Sequence, residues 1–377
     1  MKILILVDNL GSGGMQAQLV NLINGIKKRG HEIQLVLYHP GDDKGFFCDS
    51  LDISSTKITR LGASGGFRFM VAKYICLQSC RHDVILSFLH SANFYVTCAK
   101  IMNFFLRKNK NFFNIVVDMS SFGNRKAFRL SVMSFFSMLF ANRVISNSET
   151  QNSYYQALPG GKSKSLFIPN GVDSENFFKP YKKWESEDRD FYLVVGRVSR
   201  AKNGPAFVQA LREFSIKSRR AAKVIWVGRF DNDPMAKDDK EQMDDLIAKM
   251  ISEKNLDWTW AGEVENVDWY YKNARCLIIP SRWEGVPNVL IEAMLAGCPI
   301  ISTPVSDIPY ILGDSNCGIV CEGVEPRHIS SGIQLFDELE PQAIDDMRLR
   351  AQQYAVENFS IDNMTDKYIQ AINEVCL

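Results

Sequence analysis

Residues 280–299 read PSRWEGVPNVLIEAMLAGCP and carry two glutamates, Glu284 and Glu292, eight positions apart. Pro287 suits the start of a helix, because proline has no amide hydrogen to leave unpaired there. The apolar residues that follow recur at helical spacing, and Gly297 is typical of the residue that closes a helix. Apolar runs on both sides predict buried strands. The pattern therefore indicates a strand–helix–strand unit, with Glu284 in the loop before the helix and Glu292 on the helix.

The two carboxylates and the helix start favour a nucleotide-sugar site. Amides at a helix N-terminus bind phosphate well, since they are unpaired and the helix dipole favours negative charge. A nearby carboxylate would repel phosphate, but it accepts hydrogen bonds from neutral hydroxyls such as those of a sugar. The alternative is a buried helix with two incidental glutamates. The Pro-Ser before the first glutamate, the Glu-Gly-x-Pro turn and the Ala-x-Gly-x-Pro end together favour the site.

This segment resembles the Glu-x7-Glu signature of the retaining glycosyltransferases of family 4, and the likeness is strongest over residues 170–304. The resemblance implies the GT-B fold: an α/β chain with two Rossmann-like parallel-sheet domains facing a cleft, and a C-terminal helix that crosses back to the N-terminal domain. It also implies that Glu284 holds hydroxyls of the transferred sugar and Glu292 the ribose. It places the donor against Gly285, Val286, Pro287 and Asn288.

The 377-residue length suits two domains, and short apolar runs alternate with helical patterns throughout. A polar stretch at residues 179–190 and an Asn-Gly turn in residues 168–173 mark the boundary. We predict an acceptor-binding domain at residues 1–173, a nucleotide-sugar domain at 174–359 and a helix at 360–377 that packs on the first domain. Strands are expected at residues 2–7, 33–37, 84–88, 113–117, 144–145, 166–168, 191–195, 223–227, 258–260, 276–279, 300–302 and 318–320.

A second candidate motif, Gly196-Arg197-x4-Lys202, follows the first expected strand of the second domain. Ligands bind at the carboxyl ends of parallel strands, and two cations five residues apart can bind one diphosphate. A solvated basic loop is the alternative. The match to the Gly-Arg-x4-Lys pattern of the resembled family favours the diphosphate. Because these cations would neutralise the leaving nucleotide, we expect no metal and no other cofactor.

Two motifs suggest other chemistry. Asp231-Asn232-Asp233 looks like the metal-binding D-x-D motif of the other glycosyltransferase fold, but a solvated acidic loop is the favoured interpretation. The glycine loop at residues 11–14 suggests a dinucleotide-dependent reductase. However, the loop does not have the G-x-G-x-x-G spacing, and no acidic residue follows the second expected strand. In the resembled family this loop brings backbone close to the donor phosphates or the acceptor, and Gly13 and Gly14 occupy that position here.

The resemblance also places the turn at Glu265 and Asn266 against the nucleotide base through backbone contacts.

The chain departs from the family pattern at one position. Many relatives carry a histidine after the strand expected at residues 113–117, where this chain has Met119. Asp118 is a candidate to orient the donor sugar or the acceptor in its place. His90, after a neighbouring strand, is a candidate to face the same cleft, although an isolated histidine is more often structural. The missing histidine leaves a non-catalytic nucleotide-sugar-binding protein as an alternative.

Charge is unevenly distributed along the chain. Residues 1–175 hold 20 Lys and Arg against 11 Asp and Glu, a net +9, and residues 176–377 hold 24 against 32, a net −8. The basic half indicates an anionic partner. Basic and aromatic residues at 104–113, with Arg125, Lys126 and Arg129, suit either an anionic membrane surface or a core helix beside a solvated basic loop. No nucleic-acid-binding module is recognisable, so nucleic acid is not expected as a partner.

Cysteine usage and the N-terminus predict a cytoplasmic protein, with peripheral attachment to the inner membrane face as an option. The nine cysteines form no secreted-domain framework, and no histidine cluster completes a zinc site. The first apolar run leads into Asp8 as a strand would, and no stretch reaches the ~20 apolar residues of a membrane span.

The resemblance implies retaining transfer to a hydroxyl of a lipid-linked or polysaccharide acceptor, with an α-linkage. UDP-HexNAc or UDP-hexose is the expected donor, and GDP-mannose is the second choice.

Overall fold

The computed structural model describes residues 1–11, 14–39, 56–63, 67–119, 127–172, 190–231 and 234–376. The chain divides into two units. The first consists of Met1–Val172 with Phe359–Leu377, and the second is Asp173–Asn358. Among the described residues, no helix is both long enough and apolar enough to cross a bilayer.

The elements alternate between strand and helix along the chain. The strands are β1 Lys2–Val7, β2 Glu32–Leu37, β3 Lys57–Arg60, β4 Val84–Phe88, β5 Asn114–Asp118, β6 Arg143–Ser146, β7 Ser165–Phe167, β8 Tyr192–Val195, β9 Ala222–Val227, β10 Leu256–Gly262, β11 Cys276–Ile279, β12 Ile300–Ser302 and β13 Gly318–Val320. The helices are α1 Gly14–Lys28, α2 Phe69–Gln78, α3 Leu89–Leu106, α4 Ala127–Phe140, α5 Glu149–Ala157, α6 Gly204–Ser218, α7 Pro234–Ser252, α8 Asp268–Asn273, α9 Asn288–Leu295, α10 Ile308–Ser315, α11 Pro326–Asp337, α12 Pro341–Asn358 and α13 Ile361–Cys376.

Each unit contains one parallel sheet. The first has the strand order β3-β2-β1-β4-β5-β6-β7, and the second has the order β10-β9-β8-β11-β12-β13. The predicted fold class, two Rossmann-like parallel-sheet domains, is confirmed. In sheets of this order the strand sequence reverses beside the first strand, and ligands bind outside the carboxyl ends of the strands at that point. The reversal lies between β1 and β4 in the first unit and between β8 and β11 in the second.

All twelve strands expected from the sequence are present, and β3 was missed. Its sequence, KITR, is short and mostly polar, and it forms the edge of the first sheet, where little of it is buried. Its register is set by β2, since Leu35 pairs with Ile58 and Leu37 with Arg60. Sequence periodicity over four residues is too weak a signal to predict such an edge strand.

Both faces of the first sheet are covered by helices. Side chains alternate along β1, so Ile3 and Ile5 join the core on one face, while Leu4 and Leu6 join the core on the other. The first face packs against α1 and α13, and the second against α2 and α3.

The C-terminal helix lies against α1 at close range. Gly25 of α1 faces Thr365 of α13, and a Cβ atom at position 25 would approach the Thr365 Oγ1 atom to 2.3 Å. Thr365 is fully buried, and its hydroxyl donates to the Ile361 carbonyl at 2.7 Å. The close contact therefore requires a residue without a side chain at position 25, and it fixes α13 on the first unit.

Helix α9 ends as the sequence predicts. Gly297 has φ of +64°, and its amide donates to the Met294 carbonyl at 3.0 Å. The amide of Cys298 donates to the Ala293 carbonyl at 2.9 Å. These two bonds form the glycine-closed helix end known as the Schellman motif. The strand–helix–strand unit of residues 276–302 thus forms as its local sequence dictates.

Candidate functional site

Lys202 and Glu284 meet at the point where the strand order of the second sheet reverses. Lys202 lies on the loop after β8, and Glu284 lies on the loop after β11. The Lys202 Nζ atom is 2.7 Å from the Glu284 Oε1 atom, and each side chain is 15% exposed. A cation and a carboxylate are therefore both held, with little solvent around them, at the ligand-binding edge of the sheet.

The loop that carries Lys202 is fixed by two neighbouring residues. The indole nitrogen of Trp226 donates to the Gly196 carbonyl at 2.8 Å. Gly228 has φ of +141°, and a Cβ atom there would lie 2.2 Å from the same carbonyl oxygen. Gly196 itself has φ of +139°, and a Cβ atom on it would lie 2.7 Å from the Lys202 Cε atom. Lys202 thus lies directly over Gly196, and the positive φ at this position favours the glycine of the Gly-Arg-x4-Lys motif.

Glu284 is positioned by a second set of contacts. The Ser281 hydroxyl donates to the Glu284 Oε1 atom at 2.7 Å. The Arg282 amide donates to the Ala201 carbonyl at 2.8 Å, and the Arg282 Nε atom donates to the Asn203 Oδ1 atom at 2.6 Å. Asn203 is buried, with φ of +56°, at the start of α6. The loops after β8 and β11 are therefore joined through backbone and side chain as well as by the ion pair.

Arg197 is placed differently from Lys202. Its side chain is 57% exposed, and one guanidinium nitrogen lies 3.3 Å from a carboxylate oxygen of Asp231. Arg197 is thus more exposed to solvent than Lys202, and its partner is the first residue of the D-x-D sequence. Asn232 and Asp233 lie outside the described residues. Within the described part of the chain, no three His, Cys, Asp or Glu side chains are grouped so that they could hold a metal ion.

Glu292 lies on α9 and accepts a hydrogen bond from Tyr271 of α8, with 2.8 Å between the tyrosine hydroxyl and the Oε2 atom. Burial raises the pKa of the Glu292 carboxyl, and the hydrogen bond from Tyr271 lowers it in part. The pKa of Tyr271 is raised well above its usual value by burial and by the charge of Glu292, so the hydroxyl remains a donor. One carboxylate oxygen of Glu292 is therefore fixed by the protein.

The remaining donor-side candidates have varied surroundings. Val286 and Pro287 are buried, whereas Gly285 and Asn288 are partly exposed, and Pro287 immediately precedes α9.

Glu265 and Asn266 are exposed in the turn between β10 and α8, where the Asn266 side chain accepts from the Asp268 amide at 2.9 Å. This turn leads into the helix that carries Tyr271. In the first unit Gly14 begins α1, and Gly13 lies outside the described residues.

The first unit brings Asp118 and His90 together at the carboxyl ends of adjacent strands. Asp118 ends β5 and is 1% exposed, and His90 follows β4 at the start of α3. The His90 Nε2 atom is 4.0 Å from the Asp118 Oδ1 atom, and the Nδ1 atom is 3.1 Å from the Ser134 hydroxyl. Tyr155 donates to the other Asp118 oxygen at 2.5 Å. The pKa of Tyr155 is raised by burial and by the charge of Asp118, which keeps the hydroxyl protonated.

Backbone strain and packing distinguish the residues next to this pair. Leu89, between β4 and His90, has φ of +70°, a conformation that a leucine rarely adopts and that costs about 1–3 kcal/mol. Met119, the residue in the family's histidine position, packs against the core beneath the first sheet. His90 is therefore the imidazole that lies beside Asp118, and it is contributed by the neighbouring strand.

Several residues of both sites carry no signal that sequence inspection detected. They are Trp226, Asn203 and Tyr271 in the second unit, and Tyr155 and Ser134 in the first. Each contacts a partner that lies many residues away along the chain. The order of the strands in each sheet brings these side chains together. A local sequence pattern does not reveal that order.

Comparison with known proteins finds similarity to glycosyltransferases. Residues 176–357 match the family model described as glycosyl transferases group 1. The chain is 22% identical over 387 residues to a Campylobacter jejuni protein named GalNAc-alpha-(1->4)-GalNAc-alpha-(1->3)-diNAcBac-PP-undecaprenol alpha-1,4-N-acetyl-D-galactosaminyltransferase, covering 100% of this chain and 99% of that protein. It is 24% identical to the Escherichia coli UDP-Gal:alpha-D-GlcNAc-diphosphoundecaprenol alpha-1,3-galactosyltransferase over 227 residues, 55% of each chain.

The fold is similar to that of solved structures. Anabaena HepE in complex with UDP and glucose superposes with a TM-score of 0.79 at 17% identity, covering 99% of both chains.

The hydrogen bond from Trp226 to Gly196 can be tested with a matched pair of variants. In Trp226→Phe the partly buried Gly196 carbonyl loses its partner, which costs about 1–3 kcal/mol. The Trp258 ring lies 6.1 Å from the Trp226 ring, and its indole nitrogen has no hydrogen-bond partner in the described structure. Both variants should lower the free energy of unfolding of the second unit, as measured by urea denaturation. We expect the loss in Trp226→Phe to exceed the loss in Trp258→Phe by about 1–3 kcal/mol. Equal losses would show that the indole nitrogen does not hold the loop.

Proposed function

The protein is a glycosyltransferase with the GT-B fold, and we propose that it moves a sugar from a UDP-HexNAc or UDP-hexose donor to a hydroxyl of a lipid-linked or polysaccharide acceptor. The observation that carries the proposal is the Lys202–Glu284 pair at the strand-order reversal of the second sheet. A cation with little solvent around it suits a diphosphate, and a carboxylate beside it suits sugar hydroxyls.

Donor binding exchanges the contacts within this pair for contacts with the substrate. The two opposite charges have little solvent around them, so each is partly desolvated, and their mutual attraction offsets part of that cost. A diphosphate offers Lys202 a stronger anionic partner than a single carboxylate. Glu284 is then free to accept from the hydroxyls of the sugar, with Ser281 still holding one of its oxygens.

Arg197 supplies the second cation. Its contact with Asp231 is exposed, so it is weak and easily exchanged for a phosphate contact. With Lys202 it would neutralise the charge that develops on the departing nucleotide, which is the role that a divalent cation has in other enzymes. We therefore propose metal-independent transfer.

Glu292 and the turn at residues 265–266 serve the nucleoside. Because Tyr271 fixes one oxygen of Glu292, the other oxygen is oriented to accept from the ribose hydroxyls. The turn leads directly into the helix that carries Tyr271, so base and ribose contacts are coupled through α8. The names of two similar proteins mention UDP, which supports a UDP-linked donor over GDP-mannose.

The first unit provides the acceptor side. We assign His90 to orienting the acceptor hydroxyl, with the buried Asp118 carboxylate 4.0 Å from one ring nitrogen and the Ser134 hydroxyl 3.1 Å from the other. Met119 is poorly suited to this role, since a thioether is only a weak hydrogen-bond acceptor.

Transfer would retain the anomeric configuration and give an α-linkage, as the family 4 pattern implies. The acceptor oxygen forms the new bond to the anomeric carbon on the face from which the diphosphate departs, and its proton passes to the departing phosphate oxygen.

We also propose peripheral attachment to the inner face of the cytoplasmic membrane. The net charge of +9 over residues 1–175 supports an anionic surface as the partner. The relatives from C. jejuni and E. coli have undecaprenol-linked substrates in their names, and such substrates lie at a membrane.

Nucleotide release measures the proposed reaction directly. The purified protein, with EDTA and a lipid extract as acceptor, is incubated with a panel of UDP- and GDP-sugars. We expect UDP to be released from one donor. Arg197→Ala should weaken UDP binding roughly tenfold, as expected for loss of a charge-assisted hydrogen bond.

Arg200→Ala is the control for Arg197→Ala, because it removes an exposed arginine from the same loop and should leave affinity for UDP unchanged. Release from no donor with any acceptor extract would contradict the enzyme assignment and favour a binding protein. Equal affinity losses in the two variants would remove Arg197 from the site.

The coupling of Tyr271 to Glu292 predicts a pH effect on UDP binding. Protonation of Glu292 removes an acceptor for the ribose, so affinity for UDP falls as pH decreases through the pKa of this carboxyl. Since the Tyr271 hydroxyl lowers that pKa, Tyr271→Phe raises it further, and the fall begins at a higher pH than in the wild type. Calorimetric titration with UDP between pH 5 and 8 measures the difference, because the titration of UDP itself is common to both proteins.

Tyr192→Phe serves as the matched control, since this buried tyrosine donates to Asp337 instead of to Glu292. Its pH dependence should equal that of the wild type. If Tyr271→Phe also shows the wild-type pH dependence, Glu292 does not contact the nucleotide.

A further inference from the structure

The C-terminal end of α3 exposes a cluster of apolar side chains. Phe104 is 77% exposed, Phe105 is 76% exposed and Leu106 is 55% exposed. Phe136 and Leu139 of α4 are also exposed, at 47% and 48%. Large aromatic side chains in such a cluster are uncommon on the surface of a monomer and mark sites of interaction. We call Phe104, Phe105, Leu106, Arg107 and Lys110 the α3 surface.

A cavity of about 850 Å³ opens beside this surface. Its lining includes Phe104, Phe105, Phe112 and Phe140 together with the cations Arg107 and Lys110. The volume lies in the range of small-molecule sites, which are mostly apolar with a few placed polar groups. The cavity lies at the end of α3 remote from His90, so it is separate from the candidate acceptor residues. The helix has 18 residues and spans about 27 Å at 1.5 Å per residue.

Lys100 forms the polar part of the cavity wall. Its Nζ atom is 2.8 Å from the Asn114 Oδ1 atom and 2.7 Å from the Asn142 Oδ1 atom. Both partners are neutral, and burial lowers the pKa of Lys100 to about 8. A desolvated ammonium with only neutral partners gains from an anion placed nearby.

The sequence around the cavity is basic and almost free of acidic residues. Residues 84–148 contain eight Lys and Arg, against one acidic residue, Asp118. Among the described residues, neither Arg107 nor Lys110 has a carboxylate within ion-pair distance. The surface therefore presents uncompensated positive charge next to exposed phenylalanines.

We propose that the α3 surface binds an anionic phospholipid of a membrane leaflet. Arg107 and Lys110 bind the phosphate, and an acyl chain lies in the cavity along Phe104 and Phe105. Basic residues combined with exposed aromatic residues are the pattern of peripheral membrane attachment. A second copy of this chain fits less well, since a two-fold contact places the same basic residues opposite each other. The inference specifies the membrane attachment proposed above, and it requires neither donor nor acceptor.

Vesicle flotation tests the proposal. Neutral vesicles of phosphatidylcholine are compared with vesicles that also contain phosphatidylglycerol. We expect the wild type to float with the anionic vesicles only. Arg107→Gln with Lys110→Gln should reduce partitioning about fivefold per charge removed. Phe104→Ala with Phe105→Ala should reduce it at least tenfold.

The control variant is Ile216→Ala with Arg219→Gln at the C-terminal end of α6. Ile216 is 63% exposed, and Arg219 follows the helix with φ of +55°, as Arg107 follows α3 with φ of +48°. This variant should float as the wild type does. Equal recovery from neutral and anionic vesicles, or equal losses in the control and α3 variants, would overturn the proposal.

A fluorescence measurement tests insertion of the α3 surface into the membrane. The variant it uses replaces one large aromatic side chain by another at an exposed position, so the substitution should not disturb folding. All six tryptophans lie between residues 184 and 283, so Phe105→Trp adds the first one to the first unit, Met1–Val172 with Phe359–Leu377. Vesicles with brominated acyl chains should quench the added emission of Phe105→Trp and leave that of Ile216→Trp unchanged. No quenching at position 105 would contradict insertion. Monomerisation of a dimer by Phe104→Ala with Phe105→Ala, without loss of flotation, would assign the surface to self-association instead.

Discussion

The contact between Lys202 and Glu284 is the constraint on which the second unit depends. It joins the loops after β8 and β11, the two strands between which the strand order reverses. Keeping opposite charges together with little solvent requires rigid surroundings, and the unit provides them. Trp226 and Gly228 fix the backbone beneath Lys202, while Ser281 and the Arg282 amide fix the loop of Glu284. The proposed donor, which carries both a diphosphate and hydroxyls, would therefore meet a cation and a carboxylate that are already held in position.

The two units share one architecture but place different chemistry at the same edge. Each has a parallel sheet whose order reverses beside its first strand. In the second unit this edge carries a cation next to a carboxylate, which suits a charged donor. In the first it carries an imidazole next to a buried Asp118, which suits a neutral hydroxyl acceptor. The proposed division of tasks between donor and acceptor therefore depends on the loops, since the sheets are alike.

Local sequence predicted the parts of the fold that local physics determines. Apolar runs located every strand except β3, whose KITR sequence has too few apolar residues, and the glycine-closed end of α9 was evident from Gly297. The pairing of His90 with Asp118 was not predicted, although each residue was a candidate, because it depends on β4 lying beside β5. Trp226 and Tyr271 were missed for the same reason: their partners are 30 and 21 residues away.

The central claim is that donor binding replaces the ion pair between Lys202 and Glu284. Lys202 then contacts the diphosphate, and Glu284 contacts hydroxyls of the sugar. Calorimetric titration of UDP and of the preferred UDP-sugar into the wild type and Glu284→Gln tests it most directly. Loss of the Glu284 charge frees Lys202, so UDP alone should bind the variant more tightly, by roughly tenfold if one charged contact is released. The additional affinity that the sugar provides should be lost. Unchanged UDP affinity together with an intact contribution from the sugar would contradict the account.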